Sequence, residues 1–398
     1  MSIKAGVGFS TEKDTLRACT EALQIASINL QKDKIDLAII FTSLDFVYSK
    51  ALKTVKALLG PTTVLGGSSA AIICENGVFR YGLVIVLMSF LKEIYYNTAY
   101  IQDIASKGCL VAGKELAKRL LSDFRGSRRD LGIIFSDGLI NEGSALIYGL
   151  QEKFGRSFPI VGASVSDNLL FQRTYLYYNE TIITDAALGM LLGGRLGFGY
   201  GVRHGWNPLG KPHIVTKSKG NVVFEIDGAP AVQLYQDYLG LTVQTLKKEL
   251  RRISVLYPIG IYISGEEEYL LRNLIAIKDD GAIIFQGDVP IQSQIRLMIG
   301  TKESCLDATR QAAEEAKTGL RGSGYNPSLV FIFDSVSRYV LLRNETKKEL
   351  DIVKETFGKD IPVIGLYTYG EQAPLKTMVY QGQTHFHNQT ITILTLGG

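Results

Sequence analysis

The chain has 398 residues, 46% of them hydrophobic and 21% charged, and a formal net charge of +4. That length exceeds what a single hydrophobic core usually serves, and the composition excludes a disordered or low-complexity chain. No apolar run reaches the roughly 20 residues that span a bilayer, no basic-then-apolar leader opens the chain, no Cys-x-x-Cys pair is present, and the one dense basic group, Lys247-Lys248 with Arg251-Arg252, reads as a solvated helix face rather than a nucleic-acid site, so a cytoplasmic protein is expected.

In chain order, residues 15–30 read as a helix, with Leu16, Cys19, Leu23, Ile25, Ala26 and Leu30 at near-helical spacing and Glu12 and Asp14 at its start. The apolar, β-branched run at 37–41 then reads as a strand covered on both faces. A turn follows at Val64-Leu-Gly-Gly-Ser68-Ser69, and Glu75-Asn76-Gly77 marks a hairpin. The same order returns with the strand at 131–135 and the turn at Pro159-Ile-Val-Gly-Ala-Ser164. It is expected again with Asn221-Val-Val-Phe224 ahead of Gly260-Ile-Tyr-Ile-Ser-Gly265-Glu266, with a hairpin at Asp279-Asp280-Gly281. A last copy has a helix at 309–320, the strand at 329–333 and the turn Gly365-Leu-Tyr-Thr-Tyr-Gly370-Glu371.

Phe41, Phe135, Phe224 and Phe333 thus mark about four related helix-strand-helix-strand units, too long a period for a solenoid. Strand-helix-strand connections favour parallel pairing, and the hairpins add antiparallel strands. The expected fold is α/β, with mixed sheets flanked by helices. The glycine-dense stretch 193–201 divides it into two tandem domains, 1–197 and 198–398.

The last two turns share the pattern Gly-(Ile/Leu)-Tyr-x-x-Gly-Glu, which presents hydroxyls and a carboxylate at a strand end, where α/β sheets usually hold ligands. Tyr367, Thr368, Tyr369 and Glu371 are therefore candidate ligand residues, with Glu371 suited either to an ammonium group or to tying down a neighbouring loop beside half-buried tyrosines, and Ser68 and Ser69 are their weaker N-terminal counterparts. Glu266 reads instead as part of a solvated acidic loop. Arg272 and Arg203 are candidate carboxylate forks, although arginines so placed are more often members of surface or inter-strand ion pairs. Trp206 either walls a pocket or packs between layers. His385 and His387 share one face of a strand, with Asn388 beside them; two histidines without a third ligand do not make a metal site, so they are read as pocket or turn partners.

Gly365 to Pro374, His385 to Thr390, Gly205-Trp206 with Pro208, Asp227-Gly228-Ala-Pro-Ala231 and Gly287-Asp288-Val-Pro290 resemble the FIST C-terminal domain. The turn at 64–69 resembles that of the FIST N-terminal domain, although Ala71 and Ile72 stand where a Gly-Glu is common. The resemblance implies a signal-transduction sensor for a small polar ligand such as an amino acid. No kinase, cyclase, chemotaxis or F-box segment is recognisable, so output is left to a separate signalling protein.

Two other functions compete. A hydrolase or transferase would use Glu371 and His385 as acid and base, but no Gly-x-Ser-x-Gly, Gly-x-Gly-x-x-Gly or P-loop pattern is present, so neither catalysis nor a nucleotide cofactor is expected. A ligand-free interaction scaffold would use the 20 tyrosines as contact surface.

Overall fold

The computed structural model describes all residues except 1–2, 32–33, 47, 125, 127, 141, 267 and 376–382, together with the side chains at 48 and 49. The first unit comprises β1 (Ile3–Ser10), α1 (Thr15–Asn29), β2 (Leu37–Ser43), α2 (Tyr48–Leu59), β3 (Thr63–Ser69), the hairpin β4 (Ile72–Cys74) and β5 (Gly77–Phe79), and β6 (Leu83–Phe90). The second comprises β7 (Ile94–Gln102), α3 (Ile104–Lys107), α4 (Cys109–Ser122), β8 (Leu131–Ser136), α5 (Gly143–Phe154), β9 (Ile160–Ser164), the hairpin β10 (Leu176–Tyr178) and β11 (Thr181–Ile183), and β12 (Ala186–Gly194). The third opens with β13 (Gly197–Arg203) and is interrupted by a long insert.

That insert holds β14 (Trp206–Lys219), β15 (Val222–Ile226), β16 (Ala229–Pro230), α6 (Val232–Leu239), α7 (Val243–Lys248), α8 (Leu250–Leu256), β17 (Ile259–Ile261), β18 (Leu270–Arg272), β19 (Leu274–Ile277), β20 (Ile283–Phe285) and β21 (Gln294–Gly300). The unit then resumes with α9 (Lys302–Gly322), β22 (Pro327–Ser335), α10 (Val336–Leu342), α11 (Thr346–Phe357), β23 (Val363–Thr368), the hairpin β24 (Gly370–Pro374) and β25 (Thr384–His387), and β26 (Ile391–Gly397).

Among the described residues the strands form four sheets, and three of them repeat one order: β1-β6-β2-β3, β7-β12-β8-β9 and β13-β26-β22-β23. In each, the inner pair is parallel, as the sequence predicts. Each of these sheets is completed by another unit's hairpin. The pair β10-β11 joins β3, β24-β25 joins β9, and β4-β5 joins β23, a closed exchange that crosses residue 197. The Phe224 unit differs from the other three. Its strands lie in the insert's wholly antiparallel sheet, which lacks a parallel pair, so sequence spacing alone suggested a fourth copy.

Period-2 alternation explains the ring of three. Leu37, Ile39 and Phe41, Leu131, Ile133 and Phe135, and Leu329, Phe331 and Phe333 all point into one shared core. There Phe135 meets Phe41 at 5.5 Å and Phe333 at 5.8 Å between ring centroids. The intervening residues face outward under the helices, Ile40 under α1 and α2, Ile134 under α4 and α5, and Ile332 under α9 and α11. Gly66, Gly162 and Gly365 occupy equivalent places. A Cβ at each would stand 1.8, 1.8 and 2.4 Å from the carbonyl oxygens of Ile40, Ile134 and Ile332.

Helix starts follow the sequence: Asp14 accepts from Arg17 N at 2.9 Å, and Thr301 and Ser304 form a capping box on α9. Leu16, by contrast, is turned out of the α1 face and is 54% exposed. Among the described residues no helix is long and apolar enough to cross a membrane.

Candidate ligand site

β23 ends at Thr368, where the chain turns into β24. Tyr367, Thr368 and Glu371 are fully buried and Tyr369 nearly so. Tyr367 packs on Tyr339 at 4.7 Å, while Tyr369 donates to Asp167 and stacks on Phe171 at 4.2 Å. Oε2 of Glu371 accepts from the N–H of Thr390 at 3.1 Å and from its hydroxyl at 2.8 Å. Its Oε1 lies 2.5 Å from the Thr368 hydroxyl, which also lies 3.1 Å from the Asp334 carbonyl oxygen.

Burial pushes the Glu371 carboxyl up to about 8, against the bonds from Thr368 and Thr390. One hydroxyl hydrogen cannot serve two acceptors. A protonated Glu371 donating to Thr368, with Thr368 donating to the Asp334 carbonyl, satisfies the chain.

The adjoining buried cluster is also closed. Arg338 donates through Nε to Asp334 at 3.0 Å, and through its amino groups to His204 O at 2.6 Å, Cys305 O at 2.8 Å, the Thr309 hydroxyl at 2.7 Å and the Glu349 carboxylate. Burial and the Glu349 charge hold Asp334 well above the usual carboxylate range.

These groups serve the fold rather than a ligand opening, and most of the other predicted residues do the same. Ser68 donates to Ser166 O at 2.9 Å, and Ser69 lies 2.6 Å from Ala71 O and 3.0 Å from Tyr367 O, tying units together. His387 is buried, with Nε2 3.0 Å from Ala373 O, and burial pulls its imidazole down to about 3. Asn388 is fully buried and donates to His387 O at 3.1 Å. Trp206 donates to Val255 O at 3.1 Å and packs on Leu271, Met298, Cys305 and Leu342, joining insert to ring. Its wall role gives way to interlayer packing.

Arg203 lines a cavity of about 250 Å³ with Tyr200, Glu266, Glu268 and Glu315, but it is already paired, at 2.7 Å with Glu268 and 3.0 Å with Glu315. Burial lowers its affinity for the proton, yet those two bonds outweigh burial and hold the guanidinium above its ordinary value. Burial likewise works to raise Glu268, but His204 and Arg203 pull it down to about 2. The fork predicted at Arg203 is occupied from within the chain.

The other turn has a different fate. Ile261, Tyr262, Ile263 and Ser264 line a cavity of about 350 Å³ between the insert and the ring. Arg272 and Asp288 join them from the insert, Ser144, Ile147 and Tyr148 from α5, and His385 and Phe386 from β25. β18 is held in register on β17, with Arg272 opposite Ile259, so the turn and the arginine reach one wall together. Gly287, at φ +106°, lets the guanidinium pass; a Cβ there would stand 2.9 Å from Arg272 Nε.

Arg272 is 3% exposed. Its Nε donates to Asp288 O at 3.0 Å, and one amino nitrogen donates to Leu271 O at 2.9 Å and Phe386 O at 3.0 Å. Among the described residues no carboxylate oxygen lies within 4.0 Å of it, and its other amino nitrogen has no partner. Burial pulls its guanidinium down to about 10, opposed by the Asp288 charge. Burial, and then the Arg272 charge, pull His385 down to about 4, which leaves it neutral at neutral pH. Among the described residues no group of three or more His, Cys, Asp and Glu side chains is placed to hold a metal.

Of the predicted set, the structure thus brings Arg272 and His385 to one cavity and leaves Glu371 elsewhere. An acid–base pair of Glu371 and His385 has no common opening. Sequence reading missed Asp288, Tyr148 and Tyr262 as site residues. The first lies in a recognised segment and the last in the repeated turn, whereas α5 bears no signal for Tyr148.

The FIST N domain model matches residues 36–229 and the FIST C domain model residues 231–374. The chain belongs to the FIST family. An uncharacterized protein of Methanocaldococcus jannaschii is 24% identical over 344 residues, which are 79% of this chain and 64% of that protein, so the chain spans under two thirds of its length. An uncharacterized protein of Mycobacterium tuberculosis is 23% identical over 94% of this chain and 95% of its own. A solved structure titled as a cyanuric acid hydrolase formed by structural concatenation covers the whole of both chains at 7% identity and a TM-score of 0.39. A likeness at that score extends none of that enzyme's chemistry to this FIST protein.

Proposed function

We propose that this FIST protein is a cytoplasmic sensor that holds a small zwitterion of amino-acid type in the cavity around Arg272 and passes its bound state to a separate signalling protein. The observation that carries this reading is a buried guanidinium that opens on a cavity and has no carboxylate oxygen within 4.0 Å among the described residues. An uncompensated buried charge is costly, and a ligand carboxylate on the free amino edge of Arg272 would neutralise it. Asp288 lines the same cavity and is suited to an ammonium group. His385, neutral there, adds a donor and an acceptor without a competing charge.

The reading also supplies a signal. The lining comes from the insert, from α5 and from β25, so a bound ligand would cross-link the insert to the ring. Binding rather than turnover is proposed, with no cofactor.

A thermal-shift screen of the full chain against amino acids tests it. A ligand at about 100 times its Kd adds ~2.7 kcal/mol of stability. The expected shift falls to about half or less in Arg272→Lys and, should that variant not fold, in Asp288→Asn. A shift that both variants retain in full would overturn the reading.

A further inference from the structure

The geometry points to an amino acid with a large uncharged apolar or aromatic side chain as the ligand class, an inference that rests on reading the Arg272 cavity as the ligand site. The charges of the lining decide the first half. Arg272 and Asp288 are its two charged residues, one of each sign, and a zwitterionic head uses both. Nothing charged then remains among the described lining to meet a lysine, arginine, aspartate or glutamate tail. Such a tail would be desolvated without a partner.

The distribution of exposure decides the second half. Arg272 is 3% exposed and marks the deep end, whereas Tyr148 and Tyr262 are 48% and 44% exposed and mark the mouth. With its carboxylate on Arg272, a ligand projects its side chain past Ile147 and Ile263 toward these two rings. The rings come from different bodies, Tyr148 from the ring helix α5 and Tyr262 from the insert's turn. An apolar tail between them would be covered on both sides. A glycine or alanine ligand would reach the charged end and leave the tyrosines wet. The cavity volume of about 350 Å³ is at the small end for ligand sites and suits one such molecule.

Titration calorimetry of the full chain with phenylalanine, leucine, alanine, lysine and glutamate tests the inference, alongside Tyr148→Ala, Tyr262→Ala and Asp288→Asn. Each buried methylene tightens binding by about fourfold. Phenylalanine and leucine are expected to bind at least ~30-fold more tightly than alanine, with lysine and glutamate weakest. Each tyrosine variant is expected to weaken phenylalanine by about tenfold while leaving alanine nearly unchanged.

If alanine, lysine or glutamate binds as tightly as phenylalanine, or both tyrosine variants keep full phenylalanine affinity, while Asp288→Asn still abolishes binding, the tail inference fails and the site reading stands. If no amino acid binds, or Asp288→Asn changes nothing, the site reading fails and the inference with it.

Discussion

Gly260 to Glu266 and Gly365 to Glu371 share the pattern Gly-(Ile/Leu)-Tyr-x-x-Gly-Glu, yet the fold uses them in opposite ways. The second ends a parallel strand inside the ring, where its tyrosines pack and Glu371 is enclosed by Thr368 and Thr390. The first ends a strand of the antiparallel insert, with Tyr262 44% exposed and its neighbours lining a cavity. A turn motif supplies backbone shape and side-chain types; whether its polar groups face a ligand depends on what is packed opposite. Around Glu371 the chain supplies every partner itself, and around Arg272 it supplies carbonyls but, among the described residues, no carboxylate oxygen within 4.0 Å.

The largest effect should come from the enclosed side. Arg338→Met strands Asp334 and Glu349 as buried carboxylates and is expected to cost about 3–5 kcal/mol in urea denaturation, without changing ligand affinity in the folded fraction. Loss of ligand binding at intact stability would reverse the roles of the two regions.

On the open side, Arg272→Lys keeps the charge but not the planar fork. Affinity for a carboxylate ligand should fall about 10- to 100-fold by calorimetry. An unchanged Kd would remove the arginine from the site.

The next contrast is in pH. Glu371 holds its proton in the folded protein up to about pH 8 but releases it above its ordinary 4.5 when unfolded. Folding therefore binds a proton between those values, and stability from this group is full below 4.5 and falls as pH rises through the window. Glu371→Gln should flatten that component, worth about 1.4 kcal/mol per pH unit at most, and leave ligand affinity unchanged. Equal slopes for variant and wild type would show that Glu371 is ionised in place.

His385 has the opposite sign. Its folded value of about 4 lies below the ordinary 6.5, so its contribution is present above 6.5 and is lost as pH falls toward 4. A carboxylate bound on Arg272 cancels part of the charge that depresses His385. Ligand binding near pH 5 should then take up a fraction of a proton, readable from calorimetry in buffers of different ionisation enthalpy. Zero uptake would separate His385 from the bound anion, the smallest effect of the four.

Much of the ring was legible. The parallel pairs, the hairpin at Asn76, the helix at 309–320 and the three Phe strands follow from apolar runs, turn residues and spacing, as does the insert's hairpin at Asp280. The unit around Phe224 was not. An apolar run and a glycine turn read the same in an antiparallel sheet as in a parallel one, and only hydrogen-bond partners distinguish them. Of the site, Arg272 and His385 were named from side-chain chemistry, while Arg203 was named for the same reason and proved to be neutralised by Glu268 and Glu315.

By itself the sequence determined the α/β alternation, the repeat and the inventory of charges, because these rest on local periodicity and residue type. Only the tertiary structure decided the exchange of hairpins among three sheets, the depth of Glu371 and the exposure of Tyr262. It also brought α5, β25 and the insert around Arg272. Those depend on contacts between residues more than a hundred positions apart, and a charge becomes a binding group or a fold element according to whether such contacts neutralise it.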